Sequence, residues 1–180
     1  MKTHRQLYFT VVTALMAAVV AAVAPFSIHI GAIPLSLCSL GVYLCAVLLG
    51  GVRGTAAVGI YLALGAIGVP VFAGFVGGVQ AFAGPTGGYL IGYLPCAAVI
   101  GWGVSRFGDR RPAIWVLFLV LGTAVLYLCG TAWFVISTKT PIGAAIASCV
   151  LPFLPGDAVK IAVTTAAYPL KKILKHKQYL

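Results

Sequence analysis

Long apolar segments, each close to the length of a membrane-spanning helix, constrain this chain more than any other feature. An α-helix needs about 20 apolar residues to cross a bilayer. Six such segments can be placed, at residues 7–24, 35–50, 55–69, 87–104, 113–137 and from about 155 onward. Hydrophobic residues make up 62% of the sequence and charged residues only 8%, which is too little charge to cover a soluble surface. The sequence therefore predicts an all-α membrane protein with a single six-helix transmembrane domain over residues 1–180.

Basic residues indicate how such a chain would lie in the membrane. The sequence has 12 Lys and Arg residues against two acidic residues, which gives a net charge of +10. The positive-inside rule places Lys and Arg in cytoplasmic connections. With both termini cytoplasmic, ten of the 12 fall on the inner side: Lys2, Arg5, Arg53, Arg106, Arg110, Arg111, Lys171, Lys172, Lys175 and Lys177. We therefore predict cytoplasmic N- and C-termini, and basic residues that contact the lipid bilayer rather than nucleic acid.

Three alanines of the first apolar segment recur every four residues, at Ala14, Ala18 and Ala22. This spacing puts them on one face of a helix, and small side chains let another transmembrane helix approach closely. We call these three residues the alanine face. It can serve packing within the same helix bundle or docking of a separate membrane protein, and the pattern leaves both open.

The last apolar segment, LPFLPGDAVKIAV, carries the charges best suited to ligand chemistry. Asp157 lies at the predicted start of a helix, where a carboxylate suits the positive dipole end and can cap free N–H groups. Lys160 follows three residues later on the same face, so an internal ion pair is one interpretation. A ligand site is the other, because charged side chains in membrane segments are costly and mark ligand paths. This carboxylate and ammonium would suit a small ligand with an amide-like head and an acidic tail.

A glycine- and proline-rich connection, VPVFAGFVGGVQAFAGPTGGYLIGY, leads into the fourth segment. It carries no charge, and irregular backbone at membrane depth must be buried in protein or line a cavity. Glycine lets the backbone approach a ligand closely, and Gly87 and Gly88 would present free N–H groups to an anionic oxygen at a helix start. We predict that this connection lines a ligand site. The candidate residues are Phe72, Gly84, Pro85, Thr86, Gly87, Gly88 and Tyr89.

Motifs for catalysis do not accompany these residues. The sequence has no G-x-x-x-x-G-K-[ST] nucleotide loop, no Cys-x-x-Cys pair and no Cys/His cluster. The pattern also suggests no Ser-His-Asp arrangement and no carboxylate pair. We therefore predict a protein that is not an enzyme and that uses no metal or cofactor.

Four stretches together resemble the BioY family, the biotin-specific S components of energy-coupling factor (ECF) transporters. They are IPLSLCSLGVYL, LLGGVRGTAAVGIYLALGAIGVPVFAG, GPTGGYLIGY and LPFLPGDAVKIAV, and they run through most of the chain from Ile33 onward. The resemblance implies a six-helix S-component fold that binds biotin with high affinity near the outer face of the bacterial cytoplasmic (inner) membrane. It also implies a transmembrane T subunit and two ATPase subunits, which alone use ATP, and a toppling of the S component that releases biotin inside.

The resemblance also implies roles for individual residues. Asp157 would hold the ureido ring of biotin, Lys160 would attract its valerate carboxylate, and the alanine face would dock the T subunit. Two positions depart from the family pattern. Cys38 stands where the family usually has glutamine, and Phe75-Val76 stands where many members have a pair of small residues.

Three alternatives stay open beside this resemblance. The first is an S component for another small vitamin, the second is a secondary transporter or channel that works without partner subunits, and the third is a structural membrane scaffold. Equilibrium binding of biotin to the purified protein separates the first from the main interpretation, and uptake by liposomes that contain this chain alone tests the second.

Overall fold

Helices form most of the protein, as the apolar segments predict. The computed structural model describes residues 2–30, 33–107, 112–169 and 171. The helices in these residues are α1 (Lys2–Val23), α2 (Cys38–Leu49), α3 (Gly51–Ala66), α4 (Gln80–Ala83), α5 (Gly87–Phe107), α6 (Pro112–Thr138), α7 (Ile142–Cys149) and α8 (Leu154–Ala166). A helix lies at each of the six predicted segments, whereas the short α4 and α7 have no counterpart among them.

Two short strands connect α1 to α2. The strands β1 (Ser27–Ile30) and β2 (Ile33–Ser36) pair antiparallel, with Ser27 opposite Ser36. Backbone that leaves a helix in an apolar environment needs new hydrogen-bond partners, and an antiparallel ladder supplies them. This hairpin is an addition to the helical fold that the sequence predicts, and it leads directly into the start of α2.

Not every helix is long enough to cross a bilayer. By length and composition, three of the described helices can cross a bilayer: α1, over residues Gln6–Val23, α5 and α6. The helices α7 and α8 meet at a 48° bend and can together form a fourth span. The apolar helices α2 and α3 have 12 and 16 residues. At about 1.5 Å per residue they fall short of a hydrocarbon core of about 30 Å. Six complete crossings therefore stay a prediction.

The helix α5 lies at the centre of the fold, in contact with α2, α3 and α6. On either side of it, α1 packs on α2 and α3, and α8 packs on α2 and α6. Glycines permit the closest approaches: a Cβ atom on Gly101 of α5 would lie 2.7 Å from the backbone of Gly51 at the start of α3. Small residues allow such backbone contact between helices in lipid. This packing leaves a cavity bordered by α2, α3, α5, α6 and α8 and by the glycine-rich connection between α3 and α5.

The glycine-rich connection between α3 and α5 folds back onto the protein. The N–H of Gly78 donates to the carbonyl of Gly65 at 2.7 Å, and the N–H of Phe72 donates to the carbonyl of Val76 at 2.9 Å. Gly78 has a φ of 99°, which glycine adopts without strain. The connection thus finds hydrogen-bond partners within the protein, as expected of irregular backbone in an apolar environment.

Candidate ligand-binding site

A cavity of about 200 Å³ lies among the β2–α2 segment, α3, the glycine-rich connection, α5, α6 and the α7–α8 bend. One end of the cavity is polar and is formed by Ser36, Ser39, Tyr127, Asp157 and Lys160. The rest is mainly aromatic and apolar. An apolar body with a few convergent polar groups is typical of a site for a small molecule. The two charged residues and the glycine-rich connection, which the sequence analysis selected separately, therefore border one cavity.

Asp157 and Lys160 lie on the buried face of α8. The Nζ atom of Lys160 is 3.0 Å from Oδ1 of Asp157. Lys160 is only 8% exposed and Asp157 only 6%. Asp157 lies in the first turn of α8, at the positive end of the helix dipole, as predicted, but its interpretation as a helix cap is wrong, because Phe153 is at the N-cap position and α8 has no side-chain cap hydrogen bond. Its second oxygen, Oδ2, instead accepts a hydrogen bond from the hydroxyl of Tyr127 on α6. The carboxylate is thus held between two helices.

The ammonium of Lys160 has an acceptor for each of its three protons. Besides Asp157 Oδ1, it donates to Oγ of Ser39 at 2.8 Å and to the backbone carbonyl of Ser36 at 2.9 Å. Ser36 ends β2 and Ser39 lies in the first turn of α2, so Lys160 links α8 to the β2–α2 segment. The ion pair predicted from the spacing is therefore present, and it lies in the wall of the cavity.

Aromatic rings form the middle of the cavity. They come from α3, the glycine-rich connection, α5 and the α7–α8 bend: Tyr61, Phe72, Tyr89, Tyr93 and Phe153. The rings of Tyr61 and Phe72 meet edge to face, with centroids 5.7 Å apart. Rings in this arrangement hold one another in place and offer a flat apolar surface. This part of the cavity suits the apolar ring body of a small ligand.

The two departures from the family pattern differ in their position. Cys38 lines the cavity, and its Sγ atom lies 3.4 Å from the hydroxyl of Tyr61, to which it donates. Val76 also lines the cavity. Phe75 is outside the lining, is 61% exposed, and contacts the ring of Phe26 with centroids 5.7 Å apart. Cys38 and Val76 are therefore the departures that bear on the shape of the site.

The GPTGGY stretch reaches the cavity with some of its residues only. The residues that line the cavity are Gly84, Thr86 and Tyr89. The residues of the stretch that lie outside the lining are Pro85, Gly87 and Gly88. Phe72, the remaining candidate from the connection, is in the lining as described above.

Gly87 and Gly88 shape the turn and the helix packing. The N–H of Gly87 donates to the carbonyl of Gly84 at 3.0 Å, so the prediction of a free N–H at Gly87 is wrong. A Cβ atom on Gly88 would lie 2.2 Å from the Cβ atom of Trp133, which shows how closely α5 approaches α6. The indole Nε1 of Trp133 donates to the same carbonyl of Gly84 at 3.0 Å. The turn is thereby fastened to α6.

Sequence reasoning missed several polar residues at this end of the cavity. Ser39 and Tyr127 contact the ion pair through their hydroxyl groups and Ser36 through its backbone carbonyl, yet no charge or motif marks them. The signal that points to them is a polar side chain within an otherwise apolar segment. Such residues are common in membrane helices, so the signal does not separate a site from ordinary packing.

The alanine face is exposed on α1. Ala14, Ala18 and Ala22 are exposed, whereas Ala17 and Val20 on the other side of the helix are buried. Of the two roles that the sequence pattern leaves open, this placement does not favour packing within the chain. The face is available to lipid or to a second protein.

Known proteins resemble the chain over nearly its whole length. Residues 1–176 match the model of the BioY family. The biotin transporter BioY2 of Lactococcus lactis is 33% identical over 174 residues, which cover 96% of this chain and 95% of that protein. The biotin transporter BioY of Thermotoga maritima is 39% identical over 150 residues, 82% of this chain and 86% of the relative.

Similarity extends to a solved structure. The crystal structure of the S component for biotin from an ECF-type ABC transporter superposes with a TM-score of 0.87 at 27% identity. The match covers 97% of this chain and 95% of that chain. The fold of this chain is therefore similar to that of an S component for biotin.

Proposed function

Because the chain belongs to the BioY family, we propose that it is the biotin-binding S component of an ECF-type transporter. The relatives are named as biotin transporters, and the similar solved structure is an S component for biotin. The chain is accordingly a transporter subunit and not an enzyme.

The polar end of the cavity is the observation that carries the proposal. The ureido ring of biotin has two N–H donors, and the Asp157 carboxylate keeps acceptor sites beyond those that Tyr127 and Lys160 use. We therefore assign the ureido ring to Asp157 and the fused ring body to the aromatic wall. Gly84, Thr86 and Tyr89 border the same space from the turn before α5.

Lys160 acts on the valerate carboxylate through its charge. Its ammonium is 3.0 Å from Asp157, so an extended biotin with its ureido ring at Asp157 has its carboxylate a full valerate chain away. A direct ion pair would also require Lys160 to release Ser36 or Ser39, because all three of its protons are in use. We therefore propose attraction over distance within a cavity of low dielectric constant rather than contact.

The transport step needs partners. We propose six crossings with both termini cytoplasmic in the bacterial cytoplasmic membrane, supported by the Lys and Arg distribution. A transmembrane T subunit would dock on the alanine face, supported by its exposure on α1. Two ATPase subunits would then supply the energy, and this chain would carry biotin inward without using ATP itself.

Titration of the detergent-purified protein with biotin tests the binding function. We expect saturable binding at micromolar biotin or below, and Asp157→Asn, which keeps the side-chain size, should weaken it. Absence of saturable binding at micromolar biotin would contradict the proposal. Saturable binding of a different vitamin instead would assign the site to that ligand.

Liposomes that contain this chain alone test the need for partners. We expect no uptake of labelled biotin driven by a proton or sodium gradient. Such uptake would support a self-sufficient secondary transporter and contradict the subunit role.

A further inference from the structure

The Asp157 carboxylate is held on both of its oxygens, each from a different helix. Lys160 of α8 donates to Oδ1, and Tyr127 of α6 donates to Oδ2. A carboxylate has about four acceptor sites, so each oxygen keeps one after these two bonds. Lys160 alone would hold one oxygen and leave the carboxylate plane able to turn about the Cβ–Cγ bond. The Tyr127 hydroxyl removes that freedom.

Packing of the ring fixes the position of the Tyr127 hydroxyl. Tyr127 is partly buried against a small apolar cluster that contains Phe134, Cys149 and Phe153. The side chain also borders the cavity. The phenol therefore reaches Asp157 from a ring held by other contacts, and the hydroxyl can be removed without removing the packing.

We propose that Tyr127 is a positioning residue for ligand binding: its hydroxyl fixes the plane of the Asp157 carboxylate that accepts the paired N–H donors of the ligand. The inference rests on the proposed function, since the paired donors are those of the ureido ring of biotin. Recognition of two parallel donors depends on a fixed acceptor plane, and holding that plane before the ligand arrives lowers the entropic cost of binding.

Substitution Tyr127→Phe tests the effect on binding. It keeps the ring in the apolar cluster and removes only the hydroxyl, so we expect biotin affinity to fall about tenfold, the scale of one hydrogen bond to a charged group. Tyr43→Phe is the matched control. The Tyr43 hydroxyl bonds Oγ1 of Thr123, one turn from Tyr127 on α6, and Tyr43 is not in the cavity lining. This control should bind biotin like the unsubstituted protein.

Infrared spectroscopy of the ligand-free protein tests whether Tyr127 acts through Asp157. The sequence has only two acidic side chains, so the antisymmetric carboxylate stretch of Asp157 can be identified by its loss in Asp157→Asn. We expect Tyr127→Phe to shift this band and Tyr43→Phe to leave it in place. A purely structural role of Tyr127 would not move the band.

The outcomes are distinct. A shifted band together with weaker biotin binding supports the proposal. An unmoved band, or unchanged biotin affinity in Tyr127→Phe with the fold intact by thermal unfolding, overturns it. Loss of affinity in Tyr43→Phe equal to that in Tyr127→Phe also overturns it, because the effect would then come from general helix packing. Failure of the unsubstituted protein to bind biotin overturns the proposed function, while the infrared band still decides whether Tyr127 sets the Asp157 carboxylate.

Discussion

At the level of single residues, the buried ammonium of Lys160 determines how the polar end of the cavity is held together. It joins α8 to residues more than 100 positions away, with Ser39 and Ser36 separated from it by 121 and 124 residues. Removal of the cationic partner of a buried carboxylate lowers the stability of a folded protein by about 3–5 kcal/mol, because the remaining charge stays out of water without compensation. Lys160 therefore supports the site even before a ligand enters.

Substitution Lys160→Ala should weaken biotin binding by at least about tenfold, because it removes three charge-assisted hydrogen bonds and leaves Asp157 without its partner. The loss should be larger for biotin than for biotin methyl ester, which lacks the free carboxylate. Titration calorimetry with both ligands measures the difference. Arg106→Ala, the loss of an exposed cation on α5, is the control and should change neither affinity. Equal losses for biotin and its ester would argue against charge attraction by Lys160.

At the level of elements, the approach of α5 to α6 sets the position of the turn that borders the cavity. Gly88 allows the approach, and the Trp133 indole then reaches the carbonyl of Gly84. A methyl group at Gly88 would overlap Trp133 and the Cys129 carbonyl, at 2.2 and 2.8 Å. Backbone cannot move aside as a flexible side-chain end can, so the helices would have to separate.

Substitution Gly88→Ala should lower the free energy of unfolding by about 1–3 kcal/mol, the usual cost of overpacking a close contact. Biotin binding should weaken with it, because the turn moves with α5. Gly59→Ala is the matched control: this helical glycine has ordinary space, with the nearest atom, Leu94 Cδ2, at 3.9 Å. Thermal unfolding in detergent measures the stability of both variants. Equal melting temperatures for the two variants would mean that the α5–α6 approach is not tight at Gly88.

The elements also show what the sequence could predict. Apolar length located the long helices, and the rarity of charge in a membrane segment selected Asp157 and Lys160, because burying a charge there is costly. The glycines were ambiguous, since a missing Cβ serves a ligand contact and a helix contact equally well. Ser39 and Tyr127 could not be chosen, because their roles depend on which distant helices meet. The hairpin β1–β2 was not predicted, because its residues also suit an apolar helix end.

At the level of the whole molecule, the exposed apolar surface of α1 distinguishes one side of the protein. Only 17% of its membrane-length segment is buried, against 61% for α5. Its small side chains allow a partner backbone to come close, whereas bulkier residues would hold a partner helix away. The proposed docking surface on α1 and the proposed ligand cavity therefore lie in different parts of the molecule.

Replacement of Ala14, Ala18 and Ala22 by leucine should abolish co-purification with a co-expressed T subunit and ATPases, since the added side chains block close approach. Biotin affinity of the isolated protein should stay within about twofold, because these residues are exposed on α1 and lie outside the cavity lining. Ala132→Leu, at an exposed alanine of α6, is the control and should leave the complex intact. An undiminished complex with the triple variant would place the docking surface elsewhere.

The hydrogen bond from the Trp133 indole to the Gly84 carbonyl also bears on the fluorescence of the protein. The chain has three tryptophans; Trp102 is 62% exposed and Trp115 is only 1% exposed, whereas Trp133 is partly buried and touches the turn that borders the cavity. Indole emission depends on the hydrogen bond and polarity around its N–H group. We therefore expect the fluorescence of Trp133 to change if a ligand that enters the cavity displaces this turn, which would report occupancy without an attached dye.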